Sequence, residues 1–457
     1  MKQNIYEHHS LTRLIFIFGI PSILSLMVEI LTGIVDTAFA GNLPGIGSSA
    51  LSAMALLSPV LGIFTALQTL FAMSTGILIA KYLNDPKQRS CSYTTGVVMS
   101  LAVAVLTALA CYAMLPQILT FLGAQGEIFQ FAKQYLQIQL LSTLFSSVGY
   151  TLTCCIRAFG HPKMEVVIIS SAVLVNVVCN FTFAFLLDLG IAGLALGTLM
   201  SEFVCAAASM LFLMKKKLWI SRQLPAPARF FSSALELFKI GIAQTVVQLL
   251  GGITGFVLNA RLLALGSMMH VAAWSIVQRI YTLVLIPIVG LTQGVQTIIS
   301  YFSGNGAFDK IKKVSSLTML YCSSYGILAF VLMVLFGHNF IGIFGGNAEI
   351  TTLASIILLI VFLGFPLIGI LYTDMTLLQV TGYEFLSVLL ILSRQVFFLI
   401  PLVYTIPRLP FLSQLHLTPV MSLFFCMPIA DLLAVCFACI VKKRLPLRKQ
   451  NDFSPTE

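Results

Sequence analysis

Charge is what this chain has least of. Only 9% of its 457 residues are Asp, Glu, Lys or Arg, whereas a soluble domain carries about 25%. So few charges cannot clothe a water-facing surface, which excludes a soluble protein of this length. Other absences narrow the class. There is no GxxxxGK[ST] phosphate loop and no polar stretch long enough to fold around one, so ATP hydrolysis is not the energy source. The short alternating segments of a transmembrane barrel are missing. Histidine is scarce: His8, His9, His161, His338 and His416 fall in loops or tails, and His270 at the edge of an apolar run. An intramembrane enzyme would need clustered His, or Ser paired with His or Lys, so no enzyme is expected. Most of the ten cysteines lie inside apolar runs. Cys436 and Cys439 have a metal-like spacing but no second ligand pair nearby. They read as small packing residues, and no metal or organic cofactor is expected.

What fills the chain is apolar. Hydrophobic residues make up 58% of it, and the mean hydropathy is +0.99. Runs long enough to cross a bilayer core of roughly 30 Å recur from end to end. Twelve helical spans are expected at 15–41, 50–80, 93–115, 131–156, 165–187, 191–213, 240–265, 271–302, 314–337, 351–380, 386–406 and 418–441. The fold class is therefore all-α and polytopic. The first apolar run lacks a small-residue cleavage site and reads as a retained helix, not a signal peptide.

The net charge of +10 does not point to nucleic acid, because the basic residues sit in short clusters between apolar runs. Lys81, Lys87 and Arg89 follow span 2, Arg157 and Lys163 span 4, and Lys310, Lys312 and Lys313 span 8. "KKKLWISRQLPAPARFFSSALELFK" (215–239) follows span 6, and "KKRLPLRK" closes span 12. Only Lys133 and Arg408 lie clearly on the other face. By the positive-inside rule the basic face is cytoplasmic, so both termini are expected there, in a cell membrane. The segment 214–239 is the longest connection. It divides the chain into an N-terminal six-helix lobe (1–213), a cytoplasmic linker (214–239), a C-terminal lobe (240–441) and a basic tail (442–457).

The halves resemble each other. "IRAFGHPKMEVVII" (156–169) leaves span 4 and "LQVTGYEFLSVLLI" (378–391) leaves span 10, with Gly160 opposite Gly382 at an offset of 222. "ILIAKYL" (77–83) and "TIISYFS" (297–303) recur at an offset of 220. Tandem six-helix units are a transporter architecture, with a substrate cavity between lobes that rock.

Five stretches stand out in order along the chain: "IVDTAFAG" (34–41), "IRAFGHPK" (156–163), "NVVCN" (176–180), "LIPIVGLTQGVQTIISYFSGNGAFDKIKK" (285–313) and "MPIAD" (427–431). In these the chain resembles the MATE (multidrug and toxic compound extrusion) transporters, in the branch of DinF- and MepA-like proteins. The resemblance implies drug export by proton or sodium antiport. Relatives in the wider superfamily flip lipid-linked saccharides, which is the nearest alternative.

Charged groups inside lipid-depth helices are costly and mark function. Asp36 lies near the outer end of span 1. Asn176 and Asn180 lie roughly 16 and 22 Å from the inner end of span 5, on one face, and Thr198 roughly 10 Å below the outer end of span 6. Glu29 is seven residues before Asp36, nearer the midplane. A carboxylate, two amides and a hydroxyl form a hard-oxygen set for a proton or cation. The resemblance implies a cation site at Asp36, Asn176 and Thr198, but Asn180 stands where the family commonly has Asp. One negative charge is lost, and Asp36 becomes the expected protonation switch.

A second cluster, Asp374, Arg394 and Asp431, sits at similar depth in spans 10, 11 and 12, and reads as either an ionic brace or a further coupling site. Glu202 is the rough counterpart of Asp431 in span 6. Gln244, Gln248 and Asn259 in span 7 and Arg279 in span 8 are candidates to line a cavity, although interhelical hydrogen bonds explain the amides equally. Pro21, Pro59, Pro287 and Pro366 are candidate hinges. The combined expectation is a monomeric exporter of amphipathic, cationic organic compounds. The coupling ion would be H+ in preference to Na+, and the partners small organic substrates and the lipid bilayer.

Overall fold

The structure is a computed structural model describing residues 5–218, 225–343, 348–409 and 418–444. His416, the centre of the connection before Pro225, and the basic tail beyond Arg444 lie outside the described residues. All regular structure among the described residues is helical. Among the described residues eleven helices are long and apolar enough to cross a bilayer, and a helix pair bent by 47° makes a twelfth span. In chain order the spans are Leu11–Gly41, Gly47–Lys81, Pro86–Ala113, Gly126–Ala158, Pro162–Leu186, Gly190–Lys215, Pro227–Leu265, Met268–Gly304, Phe308–Gly342, the pair Ala348–Phe362 and Phe365–Val380, Glu384–Arg408 and Pro419–Lys443. They are numbered 1 to 12 below. A short helix, Ile5–His8, precedes them.

Local chemistry sets the boundaries. Span 3 starts at Pro86 because Asp85 caps it, accepting from the backbone N–H groups of Lys87 and Gln88 at 3.0 and 3.2 Å. Spans 4 and 10 end alike. Gly160 (φ 83°) and Gly382 (φ 89°) adopt the left-handed conformation. His161 N then donates to Ile156 O (3.1 Å) and Tyr383 N to Leu378 O (3.0 Å). The two glycines that align between the halves thus close the same helix-ending turn.

The four prolines behave differently. Helices continue through Pro21, Pro59 and Pro287. Pro366 directly follows the break in span 10, within the first turn of Phe365–Val380, where a missing N–H costs nothing. Span 5 ends in a π-helical turn, Thr182–Leu186, and span 11 contains another, Ser393–Leu399.

The chain forms two compact units. One holds the residues up to His9 with Ile20–Gln248, the other Ser10–Gly19 with Leu249 onward. The division therefore falls inside spans 1 and 7, not in the 214–239 connection where the sequence reading draws it. That connection is also shorter than expected, since span 6 runs to Lys215 and span 7 begins at Pro227. The segment 227–239 is polar enough to read as a linker, yet it joins the 39-residue helix of span 7. At 1.5 Å per residue this helix is about 58 Å long, well beyond the thickness of a bilayer core. Its first turns are held in the first unit. Glu236 pairs with Lys81 at 3.0 Å and accepts from Tyr82 Oη at 3.0 Å, and Thr245 Oγ1 donates to Ala66 O at 3.2 Å. In the second unit the start of span 1 packs Phe16 on Tyr321, ring centroids 5.3 Å apart, with Leu14, Ile15 and Phe18 fully buried.

Candidate functional site

In the first unit, span 5 turns Asn176 and Asn180 to one face four residues apart, and both are fully buried. Span 1 brings half-buried Asp36 to them. Asn180 Nδ2 donates to Asp36 Oδ1 at 2.6 Å and to Asn176 Oδ1 at 3.1 Å. The carboxylate thus receives a short, charge-assisted hydrogen bond from an amide inside the helix bundle. Gly197 of span 6 forms the wall behind Asn180. A Cβ there would lie 2.0 Å from Asn180 Oδ1 and 2.9 Å from its backbone N. Two amide atoms of the cluster, Asn180 Oδ1 and Asn176 Nδ2, are buried without a hydrogen-bond partner among the described residues. The amides therefore retain capacity both to accept and to donate.

The remaining candidates of this unit divide. Thr198 Oγ1 donates to Leu194 O of its own helix at 3.2 Å, so it stands outside the direct hydrogen-bonded set. Glu29 is exposed. Half-buried Glu202 lies within electrostatic range of both Glu29 and Asp36. Gln244 is half-buried and Gln248 exposed, and among the described residues the hydrogen bonds of the Asp36 cluster involve Asn176 and Asn180 instead. Buried Tyr135 of span 4 also lies within electrostatic range of Asp36. Nothing in the sequence separates Tyr135 from the many packing aromatics.

In the second unit the expected trio separates. Arg394, in the π turn of span 11, pairs with Asp431 of span 12, Nε to Oδ1 2.6 Å, and donates to Tyr281 Oη at 3.5 Å. Asp374 does not join them. Its Oδ1 pairs with Lys442 Nζ, whose long side chain reaches back from the last turn of span 12. The break in span 10 belongs to the Arg394 network. A Cβ at Gly364 would meet Asp431 Oδ2 at 2.6 Å and Pro428 Cα at 2.9 Å. Phe362 and Phe365 flank the break, stacked at 4.9 Å, and Tyr281 meets both edge-on at 5.8 and 5.5 Å. Asn259 is half-buried and Arg279 exposed.

A sequence profile described as MatE matches two stretches of the chain, residues 21–182 and 242–405. The chain belongs to the MatE family. The two stretches are nearly equal in length and fall at the spacing of the internal repeat. Curated relatives of this MatE chain include the multidrug export protein MepA of Staphylococcus saprophyticus, 28% identical over 82% of this chain and 83% of the relative. The MepA protein of Staphylococcus aureus strain MSSA476 is 27% identical over 80% of each. Among solved structures, a mutant of the Vibrio cholerae MATE transporter VcmN superimposes with a TM-score of 0.86 at 19% identity, over 95% of this chain and 96% of that one. A MOP superfamily transporter from Pyrococcus furiosus superimposes with a TM-score of 0.84 at 18% identity, over 97% of each. At these identities the structures establish the fold, an all-helical MATE transporter fold with twelve spans, and the family is one of transporters, not enzymes.

Proposed function

We propose that this MatE-family protein is a secondary active multidrug exporter. It exchanges a cation, H+ in preference to Na+, for amphipathic organic compounds of cationic character, with Asp36 as the coupling carboxylate. Relatives that carry the name multidrug export protein cover most of the chain. The observation that carries the coupling reading is the 2.6 Å bond from Asn180 to Asp36.

That bond fits a proton. As a carboxylate, Asp36 accepts from Asn180 Nδ2. As a carboxylic acid it must donate as well, and a rotated Asn180 amide presents its unpartnered Oδ1 to receive that hydrogen. One neutral amide can thereby meet Asp36 in either protonation state. An Asp in place of Asn180 would instead set two carboxylates side by side, an arrangement that asks for a counter-cation. Loss of the Asp36 charge frees Asn176 and Asn180 from it, and this change at the joint of spans 1, 5 and 6 is the step that would be tied to substrate release.

A flippase for lipid-linked saccharides would call for a basic cavity to hold diphosphate. The first unit instead gathers Asp36, Glu29 and Glu202, which favours cationic cargo. The exporter is read as a monomer with both termini and the 214–239 connection in the cytoplasm. Labelling of a single cysteine placed at Lys217 by an impermeant reagent in intact cells would overturn that orientation. The function itself is tested in proteoliposomes with a panel of cationic dyes, under an imposed pH gradient or an imposed sodium gradient. Efflux that follows the pH gradient is expected. Efflux that follows only sodium would refute the ion assignment, and none under either gradient would refute the exporter.

A further inference from the structure

The turn between spans 4 and 5 buries an ion pair that the Asp36 site does not use. Arg157 Nη1 lies 3.6 Å from Glu165 Oε1, with the two side chains 6% and 3% exposed. Arg157 also donates to Ser22 Oγ at 3.2 Å and to Cys154 Sγ at 3.5 Å. Glu165 Oε2 is buried and has no hydrogen-bond partner among the described residues. A charged oxygen held away from water without a donor is costly, and a proton on it removes that cost. Ser22 is itself buried. It directly follows Pro21 and lies just past Ile20, where span 1 enters the first unit.

The second half of the chain shows what this turn requires. At the offset of 222, Arg157 corresponds to Gln379 and Glu165 to Ser387. Gln296 Nε2 donates to Gln379 Oε1 at 2.8 Å, Ser387 Oγ donates to Met375 O at 3.0 Å, and all three side chains are buried. Where the first half of the chain places an ion pair at this glycine-closed turn, the second half thus places neutral hydrogen bonds. The charges of the first copy answer another need.

We propose that Glu165 is a proton-binding catch on span 1. As a carboxylate it holds Arg157 in place against Ser22. On taking a proton at Oε2 it removes the charge that lies 3.6 Å from the buried guanidinium, and a low-dielectric interior strongly disfavours a cation that has lost its partner. The guanidinium then turns from Ser22, and the stretch that begins at Pro21 is freed. The only covalent change is the new O–H bond on Glu165, and its proton comes from solvent. The catch is separate from Asp36 and does not depend on which ion Asp36 carries. The titratable groups around Glu165 are Arg157, Cys154 and Tyr150 of span 4, Glu29 of span 1 and Cys205 of span 6. His161 and Lys163 stand at its own turn.

The full-length protein in lipid nanodiscs is followed by hydrogen–deuterium exchange, with rates at each pH normalised to an unstructured peptide. Peptides covering residues 20–30 should exchange at least ten-fold faster after the pH falls. Arg157→Gln combined with Glu165→Ser installs the neutral pair of the second half. It should fold and exchange at one rate throughout the pH range. Ser22→Ala, which leaves both charges in place, should exchange several-fold faster than wild type at high pH. Asp36→Asn and His161→Gln should keep the wild-type pH step. The proposal is overturned if wild type shows no step, if the step survives in the double variant, or if Ser22→Ala matches wild type. It is equally overturned if Asp36→Asn or His161→Gln abolishes the step, which would assign the proton to that residue.

Discussion

Gly197→Ala should damage the site without touching a polar group. A Cβ at this position would stand 2.0 Å from Asn180 Oδ1, 3.0 Å from Asn180 Cγ and 2.9 Å from Asn180 N. Two of these contacts are with the side chain and one with the backbone, so span 5 cannot yield by a rotamer change alone. Overpacking of a close-fitted interior costs about 1–3 kcal/mol. Displacement of Asn180 also weakens its bond to the Asp36 carboxylate, about 1.5–3 kcal/mol for a hydrogen bond to a charged group. The expected loss is about 2–4 kcal/mol, part in stability and part in the coupling geometry. Thermal unfolding of purified protein in detergent should show a transition several degrees lower, and efflux driven by a pH gradient should fall at least ten-fold. Asn180→Ala removes the side-chain contacts and leaves only the backbone one. Gly197→Ala should therefore cost less in an Asn180→Ala background than in wild type, with a coupling of about 1–2 kcal/mol. Wild-type stability and transport in Gly197→Ala, or strict additivity in the double variant, would refute the close packing of spans 5 and 6 at this point.

Three further outcomes follow from the same geometry. Asp36→Asn should fold to normal yield but lose gradient-driven efflux, because the amide mimics the protonated carboxyl; dye efflux in proteoliposomes measures it, and full transport would remove Asp36 from the coupling role. Asn180→Asp adds a second carboxylate 2.6 Å from the first, so efflux should become sodium-dependent, read as the ratio of sodium-driven to proton-driven rates. Arg394→Ala strands the buried Asp431 carboxylate, which costs about 3–5 kcal/mol, and should lower folded yield. Arg394→Ala with Asp431→Asn should recover much of that yield in size-exclusion profiles, and normal yield with lost transport in the single variant would instead mark a functional pair.

Twelve spans were legible because each is a run of apolar residues longer than a bilayer core, a signal that depends on little else. The ends were less so. Residues 227–239 carry Arg229, Glu236 and Lys239 and read as a connection, but Arg229 and Lys239 are exposed and Glu236 pairs with Lys81 while the backbone stays helical. Span 10 reads as one helix, and its break at Leu363–Gly364 became visible only where Asp431 occupies the space a Cβ would need. The Asp36–Asn180 contact followed from depth along the helices together with an i, i+4 face. Depth alone misplaced Asp374, because equal height says nothing about azimuth or about the reach of Lys442. Arg157 and Glu165 looked like an ordinary basic loop and a helix start, since their burial comes from neighbours more than a hundred residues away, Ser22 among them.

Because the division between the units runs through spans 1 and 7, the order of synthesis and the order of completion differ. Residues 10–19 are among the first to leave the ribosome, yet Phe16 finds Tyr321 only after most of the chain has been made. The first unit waits in its turn for Glu236 and Thr245, which emerge past the midpoint. Severing the polypeptide between residues 218 and 225 would not yield two self-sufficient halves. Each fragment would hold a strip belonging to the other, and would recover its fold only by trading that strip with its complement in the same membrane.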